Sequence, residues 1–127
     1  MQRELGRSGI TVSAMGIGLW AVGGPWDMTG SPAGWGEVDD DESIRAIHVA
    51  LDHGITFFDT AANYGCGHSE RILARALEGR RDKAVIATKF GYRIDEVSKN
   101  VTELDDVAGS LRTDCEASLR RLNTDVI

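Results

Sequence analysis

Asp59, Tyr64 and Lys89 are the residues whose types and spacing could carry a reaction. Asp59 follows the apolar run Ile55-Thr56-Phe57-Phe58, and Lys89 follows Ala84-Val85-Ile86-Ala87-Thr88. Each charge therefore stands at the C-terminal end of a predicted strand. If the two strands are neighbours, their ends lie about 5 Å apart, and a carboxylate meets an ammonium in a partly buried place. An ordinary ion pair is one reading. Against it, a desolvated pair rarely gains net stability in apolar surroundings, so the arrangement invites a functional reading. Tyr64 lies in the segment Asp59-Thr60-Ala61-Ala62-Asn63-Tyr64-Gly65 that leaves the first of these strands. A free phenol ionises near pH 10 and is a poor acid at neutral pH. A neighbouring ammonium stabilises the phenolate, and a carboxylate keeps that ammonium charged and aimed. Alone, Tyr64 reads as a packing residue of a loop; with Asp59 and Lys89 it reads as a proton donor. A weaker alternative uses the same Asp/Lys pair in a Schiff-base lyase with Lys89 as nucleophile.

The elements that must position these groups are legible as an alternation. Arg3 to Val12 reads as two short extended pieces around the turn Arg7-Ser8-Gly9. Val12 to Trp20 predicts one buried strand ending in Gly16-Ile17-Gly18-Leu19-Trp20. Residues 23–38 are a long loop by composition, rich in Gly with Trp26 and Trp35, and long loops in compact domains are often functional. Asp39-Asp40-Asp41-Glu42 suits a helix N-terminus, where carboxylates meet unpaired N–H groups. Ile44, Ile47, His48 and Leu51 repeat at helical spacing, and Gly54 suits the residue after the helix. A second helix starts at His68 or Ser69, with Ile72, Leu73, Ala76 and Leu77 as its buried stripe and Gly79 at its end. A polar connection follows Lys89. A third helix starts at about Asp105 or Asp106, with the stripe Ala108, Leu111, Cys115, Leu119 and Leu122, and Asn123 closes it. Asp125-Val126-Ile127 reads as the start of a further strand. Strands alternating with helices imply βαβ units and a parallel sheet.

Composition narrows the function classes. The chain has 127 residues, 14 Lys+Arg against 20 Asp+Glu, and 42% hydrophobic residues. These are the proportions of a folded globular chain. The acidic balance argues against a general nucleic-acid partner, which presents a basic face. No apolar run approaches the ~20 residues of a membrane-spanning helix, so no membrane partner is expected. Two Cys make no disulfide framework, which points to the cytoplasm. Cys66 and Cys115 form no metal motif, Cys115 reads as core, and Cys66 could be an exposed thiol. His48, His53 and His68 read as polar or capping residues of helices. Arg80-Arg81-Asp82-Lys83 reads as a solvated turn. Gly16-Ile17-Gly18-Leu19-Trp20-Ala21 fits G-x-G-x-x-G/A with Asp39 about twenty positions on. A Rossmann helix would have to begin at once, however, and Val22-Gly23-Gly24-Pro25 follows instead.

The chain resembles the aldo-keto reductases over its whole length. The resemblance rests on Leu5 to Ser13, on Gly16 to Ala21, on Phe57-Phe58-Asp59-Thr60-Ala61-Ala62-Asn63-Tyr64-Gly65, on Ser69-Glu70 and Leu73 to Leu77, on Ala87-Thr88-Lys89, and on Ser118-Leu119-Arg120-Arg121-Leu122 before Asp125-Val126-Ile127. The family implies a (β/α)8 TIM barrel, of which this chain would hold the N-terminal β-hairpin, about three βα units and the start of strand four. Residues 1–127 are then the N-terminal part of a single barrel domain, since a whole barrel takes ~250 residues. The family also implies NADPH-dependent reduction of a small-molecule aldehyde or ketone to an alcohol. In that scheme Tyr64 protonates the carbonyl oxygen, Lys89 tunes Tyr64, and Asp59 partners Lys89. Gly18, Leu19, Trp20 and Asp59 would lie beside the nicotinamide, and the loop 23–36 would border the substrate. The resemblance implies a fourth catalytic group, a His expected a few residues beyond Ile127. A partial barrel should leave a sheet edge exposed and the inner faces of Val85 and Ile86 without partners. The alternative function is therefore a non-catalytic half-barrel that binds or assembles through its open sheet edge.

Overall fold

A computed structural model describes residues 1–104 and 106–127. Strands β1 (Gln2–Glu4) and β2 (Thr11–Ser13) form an antiparallel hairpin. Strand β3 (Gly16–Gly18) enters a parallel three-stranded sheet with β6 (Phe57–Asp59) and β7 (Val85–Ala87), in the order β3-β6-β7. Between them stand β4 (Asp27–Met28), β5 (Ser31–Pro32), α1 (Asp40–Asp52) and α2 (His68–Ala76). After β7 come β8 (Tyr92–Asp95), β9 (Asn100–Glu103) and α3 (Val107–Leu122). Among the described residues no helix is long and apolar enough to cross a membrane.

Helix ends follow the sequence signals. Asp39 caps α1 by accepting from the Glu42 N–H at 2.9 Å, and Gly54 after the helix has φ 81°. Asp106 caps α3 by accepting from the Gly109 N–H, and Asn123 closes it with φ 50°. Of the two expected starts for this helix, Asp105 lies outside the described residues.

The register of the parallel sheet explains its two faces. Ile17, Phe58 and Ile86 are level with one another and turn toward the helices. There Phe58 and Ile86 join Leu19, Ile47, Ile72, Leu73, Ala76 and Leu122 in the main core. Gly16, Phe57 and Val85, and then Gly18, Asp59 and Ala87, lie level on the opposite face. There Phe57, Asp59, Val85 and Ala87 are only half-buried and Gly18 is exposed. The expectation that Val85 and Ile86 both lose partners is thus corrected. Successive strand residues point to opposite faces, so only Val85 is on the open face, while Ile86 is packed under helices.

Several other expectations are corrected. The predicted single strand from Val12 to Trp20 is two strands in different sheets, broken at the exposed Ala14 and Met15. Ser13 is held where the chain turns, its N–H donating to Thr56 Oγ1 and its hydroxyl accepting from the Thr56 N–H, both at 2.9 Å. The loop 23–38 and the polar connection after Lys89 build a second sheet in the order β5-β4-β9-β8. Two short hairpins, β4-β5 and β8-β9, are joined through the β4-β9 pair between segments far apart in sequence, which leaves little periodicity to read. Helix α3 buries Ser118 and Leu122, whereas Ala108 and Leu111 at its start are exposed and Cys115 is half-buried. Only the C-terminal half of its stripe meets the core. Asp125-Val126-Ile127 is exposed and forms no strand. It is tied down instead by Arg81, which donates to Ala84 O, Thr124 Oγ1 and Val126 O, so the 80–83 turn is more than a solvated surface.

Candidate active site

The parallel register sets Asp59 level with Ala87, two residues short of Lys89. The Tyr64 loop then folds back over both strand ends. The Thr60 N–H donates to Ala87 O at 2.8 Å, and the Ala62 N–H to Lys89 O at 3.2 Å. As a result Lys89 Nζ donates to Asp59 Oδ1 at 2.6 Å, to Thr60 O at 3.0 Å and to Tyr64 Oη at 3.1 Å. It also stands 4.8 Å from the centroid of the Tyr64 ring. The three candidate catalytic residues form one cluster at the C-terminal edge of the sheet, where α/β enzymes carry their chemistry.

Electrostatics follow from this geometry. Partial burial alone would lower the Lys89 ionisation range. The hydrogen bonds to Asp59 and Tyr64, and the charges of the same partners, outweigh it and leave the lysine above its ordinary value. Lys89 is therefore an ammonium at neutral pH. A group whose ionisation range is raised on folding contributes its stability below the unfolded value and loses it as pH climbs through the folded one. The Lys89→Met variant should accordingly lose less stability than the wild type between pH values just below and well above about 10.4. Urea midpoints measured across that window check this; an equal or steeper loss in the variant contradicts it.

Aromatic side chains wall one side. The Trp20 ring stacks on Tyr64 with centroids 5.8 Å apart and 7° between planes, and Trp35 meets Trp20 edge-on at 6.4 Å. The Trp20 indole N–H donates to Ala33 O at 3.2 Å. Behind the wall, Trp26, Cys66 and Val101 are buried against Met28, Ile94 and Tyr64. Cys66 is 1% exposed, and burial pushes its thiol up. The expected exposed thiol is thus a packing residue, because the second sheet covers it.

Two glycines let the loops meet. A Cβ on Gly65 would lie 1.9 Å from Gly23 O, and one on Gly23 would lie 2.7 Å from Gly65 N. Gly65 also has φ 63°, a conformation costly for residues with a side chain. Lys99, at the turn between β8 and β9, adds a hydrogen bond to Gly65 O at 3.0 Å. The residue after Tyr64 is therefore clamped on two sides. Sequence reading missed this contact; both glycines were visible, but their meeting depends on a tertiary approach.

The other predicted residues divide. Gly18 is exposed beside Asp59, and a Cβ there would meet nothing within 4 Å. It borders an open cavity of about 540 Å³ that Gly16, Phe57 and Asp59 also line. The cavity runs on along the hairpin residues Arg3 to Gly6, and Gly18 and Asp59 are the predicted cofactor residues that border it. Leu19 does not reach that space. Its side chain is 1% exposed in the core, its N–H donates to Asp59 O, and its carbonyl accepts from Ser69 Oγ. The histidines serve the helices: His48 bonds Ala76 O, His53 bonds Val49 O, and His68 bonds Asp40 at 2.8 Å. Among the described residues no group of three His, Cys, Asp or Glu could hold a metal ion.

The aldo/keto reductase family model matches residues 14–127. The chain belongs to the aldo/keto reductase family. It is 37% identical over 124 residues to the aldo-keto reductase YhdN of Bacillus subtilis (strain 168), with 94% of this chain and 34% of that protein covered. It is 35% identical to the NADH-specific methylglyoxal reductase of Escherichia coli (strain K12), with 97% and 38% covered. Among solved structures, the holo form of aldo-keto reductase AKR11C1 from Bacillus halodurans superposes with a TM-score of 0.81 at 29% identity, with 99% of this chain and 37% of that one covered. An aldo-keto reductase from Klebsiella pneumoniae in complex with NADPH matches with a TM-score of 0.64 at 27% identity, with 91% and 33% covered. The chain spans about a third of the length of the curated relatives it matches. Its fold is a partial aldo/keto reductase barrel: the hairpin, three parallel strands and their helices.

Proposed function

We propose that the full-length protein reduces an aldehyde or ketone to an alcohol at the expense of NADPH, with residues 1–127 forming the N-terminal part of its barrel domain. The observation that carries this reading is the position of Lys89 Nζ, within hydrogen-bond distance of both Asp59 Oδ1 and Tyr64 Oη. No side chain can deliver a hydride; a reduced nicotinamide supplies it when bound. Gly18 offers the open backbone on which its ring would rest, with Asp59 beside it. Trp20 contributes through the wall it forms with Tyr64, and Leu19 by fixing the strand end. Tyr64 Oη gives up the proton that the nascent alkoxide takes, and the Lys89 ammonium stabilises the phenolate left behind. Asp59 keeps that ammonium charged and oriented. The same charge state counts against the lyase reading, because a Schiff-base lysine must be neutral to attack a carbonyl.

NADPH is the preferred donor in this reading, on the resemblance to the family and on the NADPH complex of the Klebsiella relative. The Escherichia coli relative is NADH-specific, so the assay must include both. The full-length protein, given a small aldehyde, should oxidise NADPH with stoichiometric formation of alcohol and turn over more slowly with NADH. Absence of turnover with either donor across a panel of small aldehydes and ketones overturns the assignment. The half-barrel reading draws on the half-buried Phe57 and Val85 of the open sheet face. It requires the 127-residue chain to self-associate while remaining silent with cofactor.

A further inference from the structure

We propose that Ser69 and Glu70, in the first turn of α2, are positioning residues that set the geometry of the Asp59–Lys89–Tyr64 cluster. The proposal rests on the reductase reading for its kinetic consequence, but not for its geometry.

Ser69 and Glu70 are both 0% exposed, and Glu70 is an acidic side chain with no part in the proton transfer. A buried carboxylate is costly to keep unless its oxygens are satisfied. Both Glu70 oxygens have partners. Oε1 accepts from Thr88 Oγ1 at 2.7 Å, and Oε2 accepts from Arg121 Nε at 2.5 Å. Thr88 immediately precedes Lys89, so Glu70 grips the end of β7 one residue before the ammonium. Arg121 comes from α3 and also donates to Ser118 Oγ, which anchors the carboxylate from behind.

Ser69 grips the other two strand ends. Its Oγ lies 2.9 Å from Thr60 Oγ1, one residue after Asp59, and donates to Leu19 O at 2.9 Å, one residue after Gly18. Its backbone N–H donates to Tyr64 O at 3.2 Å. Two adjacent side chains on one helical turn thus tie down β3, β6 and β7 where each enters the site, and hold the Tyr64 backbone as well. The bonds from Lys89 to Asp59 and Tyr64 require all these ends to be in register within a fraction of an ångström. Displacements near 1 Å at a reacting group cost on the order of a hundredfold in rate.

Glu70→Gln is the obvious test, but it disturbs the buried pair and could prevent folding. Thr88→Val is the cleaner one. It removes a single hydroxyl at nearly constant volume and leaves the Glu70–Arg121 pair in place, while Thr88→Ser keeps the hydroxyl. In the full-length protein, two quantities are measured for each variant. One is kcat and KM with a small aldehyde. The other is the titration of Lys89, followed by NMR on side-chain-labelled lysine. The positioning role predicts that Thr88→Val lowers kcat by about 10- to 100-fold with little change in KM. It also moves the Lys89 midpoint down toward the ordinary lysine range, and Thr88→Ser restores both. A folded Thr88→Val protein with wild-type kcat and wild-type Lys89 titration overturns the proposal. So does an equal loss in Thr88→Ser, which would trace the effect to packing of the methyl group. Should the wild type show no reductase activity, the reductase reading fails while the Lys89 titration still decides whether the clamp positions the lysine.

Discussion

A Tyr64→Phe variant of the full-length protein is expected to lose kcat by about 10²- to 10⁴-fold, the range that a positioned general acid contributes. The substitution removes one oxygen and little else. The ring is still stacked on Trp20 and still backed by Trp26, Cys66 and Val101, so the fold and the apolar wall persist. Lys89 keeps its bonds to Asp59 Oδ1 and Thr60 O. What disappears is the proton that balances the alkoxide. The loss should therefore fall on kcat, with KM changed far less, because the missing interaction matters most in the transition state. Steady-state kinetics with a small aldehyde and NADPH give the answer. Retention of most of the turnover would mean that Tyr64 is a wall residue and that the proton comes from elsewhere.

The second large effect is on stability. Glu70→Leu leaves the Arg121 guanidinium, whose side chain is 9% exposed, without its buried partner. Removing one member of a buried ion pair costs about 3–5 kcal/mol. That is a large share of the roughly 5–15 kcal/mol by which a domain is stable. Glu96 Oε1 stands 3.7 Å from Arg121 and Glu96 also pairs with Arg71, but it is far more exposed than Glu70, so it offsets only part of the loss. The double variant Glu70→Leu/Arg121→Met removes both charges and should recover most of the loss, since an apolar replacement of similar volume is often neutral or better. Urea denaturation of the two variants checks this. A single-variant loss below about 1 kcal/mol, or a double variant no better than the single, would show that the pair carries little of the packing between α2 and α3.

How much of this was legible in the sequence depended on range. Asp59 and Lys89 each end a short apolar run, and β-strand pairing converts two sequence positions into one place. Tyr64 came from the same local segment. Helix caps at Asp39, Asp106 and Asn123 were readable because a capping bond spans only a few residues. The second sheet was not readable. Its strands β4 and β5 are two residues each, and β4 pairs with β9 across about seventy positions. The clamp was half readable: Ser69 and Glu70 stood in a recognised motif, but nothing local says that Glu70 faces inward toward Thr88 and Arg121. The burial of Cys66 is equally hidden from its local sequence, because its cover includes Val101 from β9. For α3, the helical stripe was real, but a stripe shows only which face is apolar and not how far along it a neighbour extends.

On the proposed reductase reading, Tyr64 supplies a proton matched to hydride arriving at a carbonyl carbon. The most direct test supplies the full-length protein with a small aldehyde and NADPH carrying deuterium at the transferable position of the nicotinamide, and then reads the product by mass spectrometry and NMR. The prediction is an alcohol with one deuterium on the carbinol carbon, formed much more slowly by Tyr64→Phe. An unlabelled product, or a borohydride-trapped adduct of the substrate on Lys89, would contradict it.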